Sequence, residues 1–340
     1  MPLALLCCLI VVESSFAQPT VFNKEVVEKW KAYEIISRNL QGAARGTGTL
    51  VSGKPRHFLY SYKQNKDCAL LSKWESESPN SSFEIILFAN SHYAANIKRN
   101  RTNPNEVMVR NYSDNKNAPL FGGNTSVYNR VFLESSLHFC CCLMPLTALL
   151  TKPEFTVRLT AKDIKDGREL VRMDYQYVHT ESVKSRKVTR TGSIYFDPFR
   201  CWCVRQINET VESVVHDQVE SKYTFDDRFE TIQHSSGFPL LKRRTHNMKR
   251  RLFRNKDPKE ETATTITDYE WEVNNHVPDS DFRLSAFGLP EPMGAPPLPR
   301  SHTWLWLLVA ALAAAGLALL FAWLKRRRTL ASRAKPQVAT

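Results

Sequence analysis

Two short runs hold cysteines at spacings that invite chemistry: Cys201-Trp202-Cys203, inside YFDPFRCWCVRQ, and Cys140-Cys141-Cys142, inside LHFCCCLMPLTALL. A thiolate is a nucleophile, a redox partner and a soft metal ligand, so each run has three uses to weigh. Structural zinc sites take two spaced pairs of the C-x-x-C kind. Thioredoxin-type motifs take one C-x-x-C at a helix start. Neither spacing occurs in this sequence. The triplet lies in an apolar stretch, residues 137–150, whose pattern predicts a helix interrupted by Pro145. On a helix successive side chains turn by about 100°, so three thiols spread over about 200° and do not share one site. Cys201 and Cys203 are expected on one face of a strand, a poor tetrahedral pair. Cys68, like them, falls in a strand-like run. Thiols buried as small hydrophobes are the first expectation, and one or two structural disulfides the second.

Other motifs are weaker. Gly48 to Lys54 nearly completes a phosphate-binding loop, but Pro55 stands where a hydroxyl would hold magnesium, and the next residues alternate as a strand. The nine histidines form no H-E-x-x-H, and no G-x-S-x-G elbow exists. No metal, cofactor or catalytic set is therefore expected, and the chain is read as not an enzyme. Residues 239–256 concentrate basic side chains, with Lys242, Arg243, Arg244, Lys249, Arg250 and Arg251 as candidates for an anionic group. The alternative for them is the wet face of one or two strands. No aromatic ladder accompanies them, which argues against nucleic acid.

The elements that would position these residues are mostly strands. Residues 23–39 carry Val26, Val27, Trp30, Tyr33 and Ile36 at a helical period. Beyond them, Phe58-Tyr60-Tyr62, Phe83-Ile85-Leu87, Val171-Met173-Tyr175-Tyr177 and Tyr269-Trp271-Val273 alternate with other residues at period two. That pattern predicts an antiparallel sheet with one covered face. Asp166-Gly167, Asp197-Pro198, Ser236-Gly237 and Asp257-Pro258 mark turns, and residues 115–130 read as a long loop.

The termini suggest export and anchoring. Residues 1–17 read as a signal peptide, with an apolar run before Ser15-Phe16-Ala17. An extracytoplasmic domain would occupy 18–288 and a proline-rich linker 289–303. Residues 304–324, uncharged and flanked by tryptophans, predict a transmembrane helix, and a basic tail at 325–340 would be cytoplasmic. Six basic residues follow that run, so the rest of the chain carries +7 of the +13 formal charge. The expected location is the cytoplasmic membrane, single-pass, with the large domain on the periplasmic side.

This organisation resembles the lipoprotein-carrier (LolA-type) half-barrel superfamily, as a membrane-anchored bacterial relative. The phrases that carry the likeness are KDGRELVRMDYQY, GSIYFDPFRCWCVRQ, SSGFPLLKRR and VNNHVPDSDFRLSAFGLPEP. They span roughly residues 48–290, and none is catalytic. The resemblance implies an α+β fold: a curved antiparallel half-barrel with covering helices, here with one C-terminal transmembrane helix. It also implies binding of lipid, an acyl chain or a lipidated partner on an apolar wall. Val171, Met173, Tyr175, Tyr177, Trp202, Val204, Tyr269 and Trp271 are the candidates for that wall. The alternative function is an envelope sensor or protein-interaction domain, which binds a protein through the sheet edge or the basic strand.

Overall fold

The computed structural model describes residues 22, 24–38, 40–49, 52–65, 68–76, 83–117, 126–181, 186–253, 260–273, 277–295 and 303–333. Its strands are β1 (Leu40–Thr49), β2 (Pro55–Gln64), β3 (Ala69–Ser76), β4 (Phe83–Ala89), β5 (Ala94–Asn100), β6 (Val107–Ser113), β7 (Cys140–Cys141) and β8 (Met144–Pro145). Then come β9 (Phe155–Lys165), β10 (Arg168–Glu181), β11 (Arg186–Asp197), β12 (Cys203–Val215), β13 (Gln218–Gln233), β14 (Pro239–Leu252) and β15 (Glu260–Val273). The α-helices are α1 (Lys24–Ser37), α2 (Val127–Ser135), α3 (Leu146–Leu149) and α4 (Thr303–Arg333).

Period-two alternation is realised as one antiparallel sheet of 13 strands, in the order β6-β5-β4-β3-β2-β1-β15-β14-β13-β12-β11-β10-β9. Two meanders make it, joined where β1 pairs with β15 from Leu40↔Val273 to Gly48↔Thr265. The turns follow their chemistry. Asp166-Gly167 and His216-Asp217 each supply two consecutive residues at positive φ, as two-residue hairpins require. Met173, Tyr175 and Tyr177 of β10 are buried while Arg172, Asp174 and Gln176 between them are only partly so.

Helices cover one sheet face, and the segment around Phe282–Phe287 covers the other at β4 and β5, where Ile86 to Ala89 are all buried. Helix α1 places Val26, Trp30 and Tyr33 in the core, and α2 adds Val127 and Val131. An aromatic knot fixes α1: the Trp30 ring lies 4.8 Å from Phe22 and 5.9 Å from Phe196, and its Nε1 donates to the Trp202 carbonyl at 3.2 Å. Ser126 caps α2 by accepting from the Asn129 amide. Each buried aromatic of this kind contributes on the order of 1.5–3 kcal/mol by area alone.

The expected architecture is corrected on three counts. The chain is dominated by one large antiparallel sheet with few helices, rather than the expected α+β half-barrel. The stretch 137–150 is no interrupted helix. It is a 3₁₀ turn (Leu137–Phe139), the β7–β8 hairpin and the one-turn α3. Pro145 lacks the amide a continuous helix needs, and pairing of Cys140 with Pro145 takes its place. Third, among the described residues no helix is long and apolar enough to cross a membrane. The C-terminal helix runs unbroken through Lys325, Arg326, Arg327 and Arg328 to Arg333, and its apolar stretch is rich in alanine with Gly316 at its middle. The predicted transmembrane helix is withdrawn on this finding. The leader assigned to residues 1–17 lies outside the described residues, as do residues 296–302 of the linker. The chain divides into two units, residues 1–291 and 292–340, the second holding α4.

Candidate functional site

The cysteine runs land in turns. Cys142 and Leu143 form the two-residue loop of the β7–β8 hairpin, at φ 52° and 62°. Cys201 and Trp202, at φ 54° and 56°, end the five-residue loop between β11 and β12, in a turn closed by the Cys203 amide donating to the Arg200 carbonyl at 3.0 Å. The expectation that Cys201, Trp202 and Cys203 form a strand is therefore corrected: only Cys203 opens β12. Left-handed backbone costs a residue with a Cβ about 1–2 kcal/mol, and asparagine or glycine would serve such turns better. Cys201, Cys203 and the triplet are free thiols. Burial pushes the Cys203 thiol up to about 12 and the Cys140 thiol higher, which leaves both inert as nucleophiles.

The hairpin lowers two of its thiols onto the covered face of β10–β12. Cys141 Sγ lies 3.6 Å from Cys142 Sγ and 3.4 Å from the Tyr175 hydroxyl. Cys142 Sγ lies 3.5 Å from Glu209 Oε1. Tyr175 donates to that same oxygen at 2.6 Å, and Arg190 Nη1 donates to Glu209 Oε2 at 2.8 Å. Tyr175 and Glu209 stand on strands two apart, with Gly192 between them in register with both. A Cβ at Gly192 would fall 2.2 Å from the Asn208 carbonyl oxygen, so glycine is what lets the β11 and β12 backbones approach here. Glu209 is only 8% exposed, and its charge is answered by Arg190. Burial, with the nearby charges of Cys141 and Glu209, pushes the Tyr175 phenol well up. A hydrogen bond with Cys141, together with burial, does the same to the Cys142 thiol. For Arg190, burial opposes the charge but Glu209 outweighs it, so the guanidinium is held.

A second polar group lies on the same face. Arg244 Nε donates to Asp227 Oδ1 at 2.6 Å, and His246 Nδ1 meets the same oxygen at 2.9 Å. Burial opposes the Asp227 charge, but Arg244 and His246 overcome it and hold the carboxyl down at about 2. Between the two groups opens a cleft of about 240 Å³, lined among others by Arg130, Glu134, Cys141, Arg190, Glu209 and Arg244.

The candidate wall residues lie in filled space, Trp202 in the turn before β12 and the others on the covered face. Met173, Tyr175, Tyr177, Val204 and Tyr269 are buried in the core, with Val171, Trp202 and Trp271 packed against it. Trp271 stacks on Tyr62 and Tyr269, each at 5.7 Å. Trp202 carries its ring edge-on to Phe22 at 5.7 Å. The basic candidates do not converge. Arg243 pairs with Asp268, Arg244 with Asp227, Lys249 with Glu260 and Arg250 with Glu261. Arg251 lies over the Phe253 ring, and Lys242 is exposed where the β13–β14 register shifts. Glu209, Arg190 and Asp227 were missed by the sequence reading. The one signal was Gly192 in a strand interior, which marks a close approach.

The sheet edges offer a different surface. Among the described residues β6 is paired on one side only, to β5. It exposes Met108 at 55%, Val109 at 41% and Tyr112 at 45%, with Arg110 exposed among them.

No family model matches the chain, and no curated protein matches it. Three solved structures show faint likenesses. The MucA/MucB complex of Pseudomonas aeruginosa matches at 7% identity and TM-score 0.21, covering 74% of this chain and 99% of that one. MucB in complex with MucA(peri) matches at 8% identity and TM-score 0.15, covering 74% and 100%. Kievitone hydratase from Nectria haematococca matches at 9% identity and TM-score 0.14, covering 69% and 92%. Scores at this level leave fold and function to rest on the chain's own residues. The half-barrel resemblance is accordingly met by no family match.

Proposed function

We propose that this chain is a non-catalytic protein-interaction domain that takes an extended partner segment onto the outer edge of β6. The observation that carries the reading is that edge strand: seven residues, Val107–Ser113, laddered among the described residues to β5 on one side, with three exposed apolar side chains. Soluble sheets normally blunt such an edge with charge, proline or cover, because it templates pairing with another chain. Strand addition supplies main-chain hydrogen bonds, and the alternate side chains supply specificity. Lys98 over Phe83 and Arg101 over Trp74 lie on or beside the adjoining strand β5, and together with Arg110 they favour an acidic partner segment. The leader-like run at residues 1–17 supports a location outside the cytoplasm. Lipid binding has less to rest on: the apolar wall is packed by the chain itself, and the cleft on that face mixes apolar side chains with buried charged groups.

The test is a photo-crosslinking amino acid at position 110 of the full chain, with position 222 in mid-sheet as the comparison. One dominant protein adduct at 110 is expected, absent at 222 and lost in V109D/Y112D. The crosslinked segment, made as a peptide, should then slow amide exchange in β6. Equal adducts at both positions, or a peptide that leaves β6 exchange unchanged, would overturn the proposal.

A further inference from the structure

The thiol and carboxylate group under the β7–β8 hairpin has the geometry of a metal site. Ligand atoms of Cys141, Cys142 and Glu209 all lie within 4.8 Å of one another, and all three residues are buried. A zinc ion with sulfurs at about 2.3 Å and a carboxylate oxygen at about 2.0 Å sets S···S near 3.8 Å and S···O near 3.5 Å at tetrahedral angles. The distances here are 3.6 Å between the sulfurs and 3.5 Å from Cys142 Sγ to Glu209 Oε1. We propose that Cys141, Cys142 and Glu209 bind a thiophilic divalent cation of the zinc type.

Charge supports the assignment. Two thiolates and the Glu209 carboxylate, set against the Arg190 guanidinium, leave two negative charges, which one divalent cation cancels. A buried site that sums to neutral avoids the desolvation cost of an unpaired ion. Binding forms two metal–sulfur bonds and releases the two thiol protons to solvent. The surroundings match what metal ligands need. Arg190 and Tyr175 both donate to the Glu209 carboxylate, which orients it as outer-shell partners do. The strained turn at Cys142 is what turns its sulfur toward Glu209 and beside that of Cys141. Among the described residues three protein ligands are present, and the cleft of about 240 Å³ reaches them, so water or an anion completes the coordination.

The experiment uses the full chain, purified reduced and metal-free, and titrated with Co²⁺ and then Zn²⁺. One equivalent of Co²⁺ should raise a thiolate-to-metal band with strong four-coordinate visible absorption, and Zn²⁺ should bleach both. C141S and C142S should each lose most of that band, while C140S, whose sulfur faces the Ser136 carbonyl, should keep it. Y175F should weaken zinc binding by about 10–100-fold, as loss of an outer-shell partner does. X-ray absorption on the unsubstituted zinc form does not depend on any variant folding. Two sulfurs with oxygen ligands would support the site. A sulfur-free shell, four sulfurs, or a cobalt band that survives C141S/C142S would overturn it.

Discussion

Glu209 shows how one residue's cost is carried by its neighbours. A carboxylate this buried is tolerated because Arg190 and Tyr175 both donate to it. Removing one member of a buried pair strands the other, at about 3–5 kcal/mol. Arg190→Met is therefore expected to lose about 3 kcal/mol of stability in urea unfolding. R190M/E209Q should recover much of that loss, because the double variant removes the stranded charge. An additive double variant would show that the two groups do not interact. Leu143 makes the opposite case. It is 74% exposed and sits at φ 62°, so it gives up little packing and bears the left-handed strain. Leu143→Gly should raise the unfolding midpoint, by about 1 kcal/mol of added stability. A loss of stability would mean that Leu143 packs in a way its exposure does not show.

At the scale of elements, the covering segment holds a buried histidine whose protonation couples stability to pH. His138, in the 3₁₀ turn before β7, is fully buried, donates from Nε2 to the Pro239 carbonyl at 3.0 Å and faces the Tyr33 ring at 5.4 Å. Burial pushes its imidazole down to about 4. The unfolded chain takes up this proton near its ordinary value of about 6.5, and the folded chain only near 4. The stabilising contribution is thus complete above about pH 6.5 and declines as pH falls toward 4, by about 3 kcal/mol in all. Unfolding midpoints measured from pH 7 to pH 4 should show that slope, and H138Q, which can still donate to Pro239, should flatten it. A further loss is expected as pH falls through about 2, where Asp227 takes up its proton. A slope unchanged in H138Q would assign the acid sensitivity to other groups.

On the scale of the whole molecule, two antiparallel meanders share one sheet through β1 and β15, strands 220 residues apart at Leu40 and Glu260. The register there runs over nine residue pairs, so the N-terminal meander cannot complete its pairing until the last strand arrives. Folding dominated by such non-local pairing is slow. The unit ending at Glu291 holds the entire sheet and its covering elements. A chain ending at 291 is expected to melt cooperatively at the same temperature as the full chain in a thermal scan. A fall of more than a few degrees would show that residues 292–340 contribute to the stability of the sheet.

What the sequence determined by itself was local. Period-two alternation in residues 171–177 and 269–273 specified β10 and β15 with their buried faces, because that pattern has one physical meaning on a pleated strand. Helix α1 was equally legible from Val26, Trp30 and Tyr33, as was the turn at Asp166-Gly167. Short apolar stretches without a period were not legible. Residues 137–150 suit a helix or a hairpin by composition; Pro145 disfavours the helix, and the hairpin's two thiols meet Tyr175 and Glu209, 34 and 67 positions away. The same holds for Cys201 and Trp202, held in a turn by the aromatic cluster that receives α1. Tertiary structure alone decided that the apolar wall would be filled and that the basic strand would spend its charges on Asp227, Asp268, Glu260 and Glu261. It also decided that Arg190 would meet Glu209 across the hairpin of β11 and β12. Spacing along a chain constrains which side chains share a face; which faces meet depends on strand order and register, and those are set by pairings between distant segments.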